Sequence, residues 1–187
     1  MIDLSNVNAY QESNRIEAKK SLGGLPKSIW ETYSAFANAE GGVILLGVEE
    51  YKDRSLHPVD LPDPDALIRE FWEMVNDSSK VSANILPTEG ITWIEFEGKD
   101  VIAIEIPPAE AKDRPVYVGG DPYTGSYVRR GDGDYRCTRE EVQQMLEAAR
   151  KPRFWTISSR PGPIWNGRIS PGKLEAKAIK PGPPRAV

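Results

Sequence analysis

Apolar and polar residues alternate near the start of the chain and then follow a helical spacing. Ile16 and Ala18 alternate with charged neighbours, which predicts a half-buried strand. After Pro26, a residue tolerated in a first helical turn, apolar residues recur at helical spacing over 29–37 and predict a helix. A Gly-Gly pair ends this helix, and the nearly all-apolar run 43–48 predicts a short buried strand.

The middle of the chain predicts a loop, a second helix and a hairpin. Polar and proline-bearing residues 49–62 predict the loop, and Asp63 followed by Pro64 begins the second helix. The buried side of this helix is predicted to hold Leu67, Ile68, Phe71, Trp72 and Val75. Two strands at 91–96 and 101–106 flank a short turn signal, so a hairpin is expected there.

The next part of the chain predicts two more strands and a last helix. Residues 116–118 and 126–130 predict a strand pair on either side of a turn-rich segment. Thr138 and Glu141 match a capping box, which marks the start of the last helix. Together these elements predict one α+β domain at about residues 8–150, with a mixed or antiparallel sheet and helices packed on it.

Composition separates the end of the chain from this domain. Residues 152–187 contain seven prolines and four glycines, which favours an extended or disordered segment. The part from 151 to 187 has eight Lys or Arg and one acid, a net charge of +7. The first 150 residues have 16 basic and 27 acidic residues, a net charge of −11. A basic Pro- and Gly-rich tail at 151–187 therefore follows an acidic domain, which binds nucleic acid only through a local basic patch, metal ions or the tail.

The single cysteine and the short apolar runs indicate the cellular compartment of the protein. Cys137 has no second cysteine to pair with, which suits a reducing cytosol. The first residues lack the basic and apolar regions of a signal peptide, and the longest apolar run is too short to span a bilayer. We therefore expect a cytoplasmic protein that does not insert into a membrane.

Two glutamates near the start of the chain are the first candidates for chemistry. Glu12 and Glu17 lie five residues apart, and such residues point to opposite faces of an unbroken strand. They are therefore either separate solvated charges or members of one site formed by a break in the strand at 13–14. In the first case, Glu17 pairs with Lys19 or Arg15.

Several short motifs occur in a fixed order between about residues 10 and 150. The motifs are Glu12, E-A-K at 17–19, A-F-A-N at 35–38, G-G at 41–42, G-V-E-E at 47–50, P-V-Y at 115–117 and Y-V-R-R-G at 127–131. As a set they resemble the Alba-like domain of the Schlafen family, and the resemblance implies that family's α+β fold.

The resemblance also implies a chemistry. In the nuclease members of the family, three acidic residues are implicated in cutting structured RNA such as transfer RNA. They correspond to Glu12, Glu17 and Glu50, with Glu49 as an alternative for the last. Their carboxylates would hold Mg²⁺ or Mn²⁺, which polarises a phosphate and lowers the pKa of a bound water. Two positions depart from the pattern, because Ala18 replaces an aromatic residue and Glu50 replaces an aspartate. The longer Glu50 side chain suits Mn²⁺ better than strictly octahedral Mg²⁺.

Four basic residues are candidates for nucleic-acid binding: Lys19, Lys20, Arg129 and Arg130. Because consecutive residues of a strand point to opposite faces, at most one of the two arginines is expected to join the lysines at a phosphate. The other arginine is expected to pair with an acid.

Three further residues have ordinary structural interpretations. His57 is the only histidine and is predicted to be exposed in a loop. Trp93 is predicted to belong to the core. Asn38 either has a functional role or caps the end of the first helix.

Three classes of function remain open from the sequence. The leading one is a nucleic-acid-binding domain that acts as a metal-dependent endoribonuclease, with structured RNA favoured over DNA. The second is a non-catalytic DNA- or RNA-binding regulatory module, and the third is a ligand-sensing or dimerisation module without nucleic acid. In the family a positively charged trough is built from two such lobes, so a chain with one lobe is expected to form a homodimer.

Overall fold

The computed structural model describes residues 15–150, and the predictions for residues 1–14 and for the tail at 151–187 lie outside this range. Within it, the strands are β1 (Ile16–Lys19), β2 (Gly42–Leu46), β3 (Val48–Glu50), β4 (Leu56–Pro58), β5 (Ile91–Phe96), β6 (Lys99–Ile106), β7 (Tyr127–Arg130) and β8 (Gly133–Arg136). The helices are α1 (Ile29–Asn38), α2 (Pro64–Val75), α3 (Pro122–Gly125) and α4 (Arg139–Arg150), with a 3-10 turn at Ala111–Asp113. Within the same range, no helix combines the length and apolarity needed to cross a bilayer.

A four-stranded sheet with the order β1-β2-β6-β5 forms the centre of the domain. β1 runs parallel to β2, whereas β2 with β6 and β5 with β6 are antiparallel pairs. The sheet is therefore mixed, and the predicted α+β class is confirmed.

The main core lies between this sheet and helices α1 and α2. Both helices place large apolar side chains there, and the ring of Trp30 stacks on that of Phe71 with centroids 5.0 Å apart. Tyr33 and Phe36 of α1 are fully buried between the same elements. Asp63 accepts a hydrogen bond from the Ala66 amide at 2.9 Å, which gives α2 the N-terminal cap that the sequence predicts.

The apolar run at 43–48 and the predicted loop at 49–62 both differ from expectation. Gly47 has a φ of +85°, so the run breaks there into β2 and the short strand β3. β3 then pairs with β4 inside the predicted loop. Val48 and Leu56 of this hairpin pack on the second face of the main sheet, and this burial explains why so polar a segment is ordered.

The predicted pairing of residues 116–118 with 126–130 is largely wrong. It is limited to a single bridge between Tyr117 and Ser126, while Val118 bridges to Val81. β7 pairs instead with β8, through a tight turn in which Gly131 has a φ of +59°. The turn-rich segment before β7 contains the short helix α3.

Candidate functional site

Glu17 lies in a network of charged side chains on one face of β1. Lys19 donates to Glu17 Oε1 at 2.8 Å, and Arg129 Nη1 donates to Glu17 Oε2 at 3.1 Å. Glu17 and Lys19 share a face of the strand because they are two residues apart. The pairing of Glu17 with Lys19, one of the two interpretations of the sequence, is therefore present in the structure.

Arg129 joins three elements of the domain. Its guanidinium donates to Asp134 Oδ1 at 2.8 Å and to the Ile16 carbonyl at 3.3 Å, and it lies over the Phe36 ring at 5.2 Å from the centroid. The side chain is only 9% exposed. Thr32 of α1 donates to the other oxygen of Asp134 at 2.7 Å. We call Glu17, Lys19, Arg129, Asp134 and Thr32 the Glu17 network.

Asn38 has a larger role than the helix cap expected from the sequence. Its side-chain amide donates to the carbonyls of Val116 and Tyr127 at 2.8 and 2.9 Å, and its oxygen accepts from the Val116 amide at 2.8 Å. Asn38 is buried and satisfies the Val116 amide and the Tyr127 carbonyl, while the Val116 carbonyl also accepts from Ser34 Oγ at 2.7 Å. It thereby fixes β7, and with it Arg129, against α1. The A-F-A-N motif was the sequence signal for this position.

The remaining predicted metal ligands lie on β3 or outside the described range. Glu50 is 45% exposed, with its Oε1 3.7 Å from Arg54 Nε, and Glu12 belongs to residues 1–14. β3 lies beside the end of β1, because the Gly47 amide donates to the Lys19 carbonyl at 2.9 Å. Among residues 15–150, no three His, Cys, Asp or Glu side chains form a cluster suited to a metal ion. The site at Glu12, Glu17 and Glu50 stays a prediction.

Three exposed cations lie just after β1, in the β3–β4 turn and at the end of β7. Lys20 pairs with Glu49 at 2.9 Å, and Arg54 in the β3–β4 turn reaches Asp132 in the β7–β8 turn at 3.1 Å. Arg130 at the end of β7 pairs with Glu141. Their side chains are 48%, 56% and 48% exposed. We call Lys20, Arg54 and Arg130 the cationic strip.

The four basic candidates from the sequence therefore fall into two pairs. Lys19 and Arg129 belong to the Glu17 network, whereas Lys20 and Arg130 belong to the cationic strip. One arginine was expected to pair with an acid, and both do, Arg129 with Asp134 and Arg130 with Glu141.

Aromatic side chains differ from the sequence expectations at two places. Trp93 is 45% exposed on the edge strand β5 rather than part of the core. His57 is a half-buried residue of β4, not an exposed loop residue, and its ring packs on that of Tyr51. Tyr51, at the tip of the β3–β4 hairpin, is itself more than half exposed. No sequence periodicity marks so short a hairpin, so this stack was missed.

The architecture defines a class of small α+β domain, with a mixed four-stranded sheet, two core helices on one face and two accessory hairpins. The family model "Schlafen, AlbA_2" matches residues 12–138, which is more than half of the chain. The chain therefore belongs to the Schlafen AlbA_2 family, and the resemblance seen in its motifs is confirmed.

Two solved structures are similar to this chain. The solution NMR structure of the N-terminal domain of a RecG-related protein from Nitrosomonas europaea, whose description names an ATP-dependent DNA helicase, is 32% identical. The match covers 72% of this chain and 90% of that domain, with a TM-score of 0.48. The DIP2311 protein from Corynebacterium diphtheriae is 17% identical with a TM-score of 0.51. That match covers 78% of this chain and 28% of that protein, so it shows a shared fold only. A search of curated proteins found no match.

Proposed function

We propose that this domain binds nucleic acid through the cationic strip and that structured RNA, such as transfer RNA, is its preferred partner. Membership of the Schlafen AlbA_2 family supports a nucleic-acid partner. The observation that carries the proposal is the exposure of three cations, Lys20, Arg54 and Arg130, each in an exposed ion pair. The Arg54–Asp132 contact joins the tips of the β3–β4 and β7–β8 hairpins.

The ion pairs of the strip do not prevent these residues from binding phosphate. Each pair joins exposed side chains, and exposed pairs contribute only about 0–1 kcal/mol. A phosphate oxygen is as good an acceptor as a carboxylate, and its binding also releases counterions. The strip is therefore available for phosphate, whereas Lys19 and Arg129 are held inside the domain.

The net negative charge of residues 15–150 means that nucleic acid can bind only at a local group of cations. Residues 15–150 contain 16 basic and 25 acidic residues, so the domain as a whole repels a polyanion. Binding then depends on a local arrangement of cations. The tail at 151–187, with its net charge of +7, is a second source of affinity.

A metal-dependent endoribonuclease activity is the second candidate function. The contact of β1 with β3 favours it, because this contact brings the strands that carry Glu17 and Glu50 side by side. In this proposal Glu12, Glu17 and Glu50 hold Mg²⁺ or Mn²⁺, which supplies charge stabilisation and an activated water. Glu17 then exchanges at least one of its contacts with Lys19 and Arg129 for the metal. Without that activity, the domain is a non-catalytic regulatory module that binds DNA or RNA.

Binding is tested by fluorescence anisotropy with labelled transfer RNA and with duplex DNA. The test variant combines Lys20→Ala, Arg54→Ala and Arg130→Ala, and the control combines Arg69→Ala, Lys80→Ala and Lys112→Ala. Both variants lose three positive charges from surface side chains, so their net charges are equal. We expect the test variant to bind RNA at least tenfold more weakly and the control variant to bind like wild type. Equal loss in both variants would show that the strip has no special role.

Cleavage is tested by incubating transfer RNA with the protein, with and without Mn²⁺ or Mg²⁺. If the metal proposal holds, cleavage needs the cation and is lost in Glu17→Gln. Binding without any cation-dependent cleavage, or equal cleavage by Glu17→Gln, eliminates the nuclease proposal and leaves the regulatory module.

A further inference from the structure

We propose that Tyr51 stacks on an unpaired base of the bound nucleic acid. This inference rests on the proposed function and adds to it a recognition site for single-stranded or looped segments. Its basis is the position of Tyr51, a residue that is 52% exposed at the tip of the β3–β4 hairpin. Aromatic rings exposed beside cations are the usual platforms for unstacked bases.

The Tyr51 ring is supported from behind by a second ring. The centroids of Tyr51 and His57 are 4.1 Å apart, and the two planes are inclined by 31°. One face of Tyr51 is therefore covered by an imidazole, and solvent reaches the remainder of the ring. A base that stacks on the exposed side of Tyr51 would be the third ring of a stack that begins with His57 and Tyr51.

The imidazole is itself held in one orientation by hydrogen bonds. Ser55 Oγ lies 2.6 Å from Asp53 Oδ1 and 2.8 Å from His57 Nε2. Hydrogen bonds from Ser55 keep the pKa of the Asp53 carboxyl below its ordinary value, so Asp53 is an ionised acceptor. Because a hydroxyl has one proton, Ser55 donates it to Asp53 and accepts a hydrogen bond from the His57 Nε2–H. The Asp53–Ser55–His57 chain thus sets the tautomer and plane of the supporting ring.

The backbone of the tip is closed by its own hydrogen bonds. The Tyr51 amide donates to the Ser55 carbonyl at 2.9 Å, and the Arg54 amide donates to the Tyr51 carbonyl at 2.9 Å. A ring on such a closed turn loses little freedom when a ligand binds, which favours affinity.

The same turn places the ring beside the cationic strip. Arg54 belongs to the strip and is three residues from Tyr51, and Lys52 is also exposed between them. A nucleotide whose phosphate contacts Arg54 therefore has its base within reach of Tyr51. Phosphate contact and stacking together recognise an unpaired nucleotide without selecting its sequence.

The experiment compares Tyr51→Leu, Tyr51→Phe and Trp93→Leu on an RNA hairpin with a single-stranded loop. Trp93 is the matched control because it is 45% exposed on β5, at the opposite edge of the main sheet from β1. We expect Tyr51→Leu to weaken binding by about 5- to 100-fold, the range of stacking contributions, with an unchanged salt dependence. Tyr51→Phe keeps the ring and should bind like wild type, as should Trp93→Leu.

Photo-cross-linking of the wild-type protein gives an independent readout that needs no variant. A 5-bromouracil in the loop should cross-link to the peptide that contains Tyr51, as identified by mass spectrometry. Wild-type affinity in Tyr51→Leu, or cross-links only to other peptides, overturns the stacking proposal. If the strip variant is impaired in the same assays, the proposed function survives that result. A wild-type protein that binds no RNA overturns both.

Discussion

Arg129 and Arg130 are neighbours on β7, yet their surroundings give them different roles. Arg129 is nearly buried and contacts two acids, a carbonyl and an aromatic ring. Arg130 is half-exposed, and its ion-pair partner is Glu141. Removal of Arg129 leaves two partly buried carboxylates close together, whereas removal of Arg130 leaves a solvated one. The first change should affect folding and the second should affect binding.

We therefore expect Arg129→Met to lower the free energy of unfolding by roughly 2–4 kcal/mol, because it breaks a partly buried ion-pair network. Arg130→Met should change it by less than about 1 kcal/mol, as is usual for exposed pairs. Urea denaturation followed by circular dichroism measures both. Equal stability of the two variants would contradict a structural role for Arg129.

Two buried groups make the stability depend on pH in alkaline solution. Burial raises the pKa of the Tyr33 hydroxyl from 10.0 to about 12. Burial is the larger cause, and the charge of Glu141 the smaller cause, that raises the pKa of the Cys137 thiol from 9.0 to about 11. Above pH 9 the unfolded chain therefore loses protons that the folded protein keeps. We expect the melting temperature to be constant between about pH 7 and 9 and to fall between about pH 9 and 12.

Tyr33→Phe separates the two contributions. It removes the Tyr33 titration together with the hydrogen bonds to the Ala83 carbonyl and from the Ile85 amide. We expect a loss of about 1–2 kcal/mol at neutral pH, and a shallower fall in stability above pH 10 than in wild type. An alkaline fall as steep as that of wild type would show that Tyr33 titrates normally in the folded protein.

At the scale of elements, Asn38 is one of the residues that link helix α1 to hairpin β7–β8. We expect Asn38→Ala to destabilise the domain by roughly 2–4 kcal/mol, because the Val116 amide and the Tyr127 carbonyl lose their hydrogen-bond partner. Asn76→Ala is the control, since Asn76 donates to the Trp72 carbonyl in an exposed position and should cost less than about 1 kcal/mol. Thermal unfolding compares the two, and similar melting temperatures would contradict the linking role.

The elements predicted correctly from the sequence are those fixed by local interactions. The hairpin β5–β6 turns at Glu97 and Gly98, which both have positive φ. The capping box is formed as expected: Glu141 accepts from the Thr138 amide at 2.8 Å, and Thr138 accepts from the Glu141 amide at 3.2 Å. By contrast, the β3–β4 pair and β8 were not predicted, and β7 was predicted at 126–130 but with the wrong partner. Their pairing depends on packing against distant parts of the chain.

In the candidate site, as in the fold, local contacts were predictable from the sequence and long-range contacts were not. The pairing of Glu17 with Lys19 is local and was one of two interpretations of the sequence. The contact of Glu17 with Arg129 joins residues 112 positions apart, and the contact of Arg54 with Asp132 joins residues 78 apart. Nothing in the periodicity of one segment indicates such contacts, so the sequence could not separate the Glu17 network from the cationic strip.

For the whole molecule, the predicted homodimer is a proposal with a physical motive. β1 and β5 are the edge strands of the main sheet, and sheet edges favour further pairing or cover. Two copies would also extend the narrow cationic strip into a surface large enough for folded RNA. Light scattering after size exclusion should give twice the 20.8 kDa of the chain. A mass of one chain at all concentrations would contradict the dimer.

If Lys20, Arg54 and Arg130 bind phosphates, the salt dependence of RNA affinity reports the number of those contacts. The logarithm of the binding constant falls with the logarithm of salt concentration in proportion to the number of phosphate contacts. We predict that the variant lacking the three strip cations has a slope less steep than wild type by about 2–3, while the control variant with Arg69→Ala, Lys80→Ala and Lys112→Ala keeps the wild-type slope. Identical slopes for the wild-type and strip variants would contradict the account.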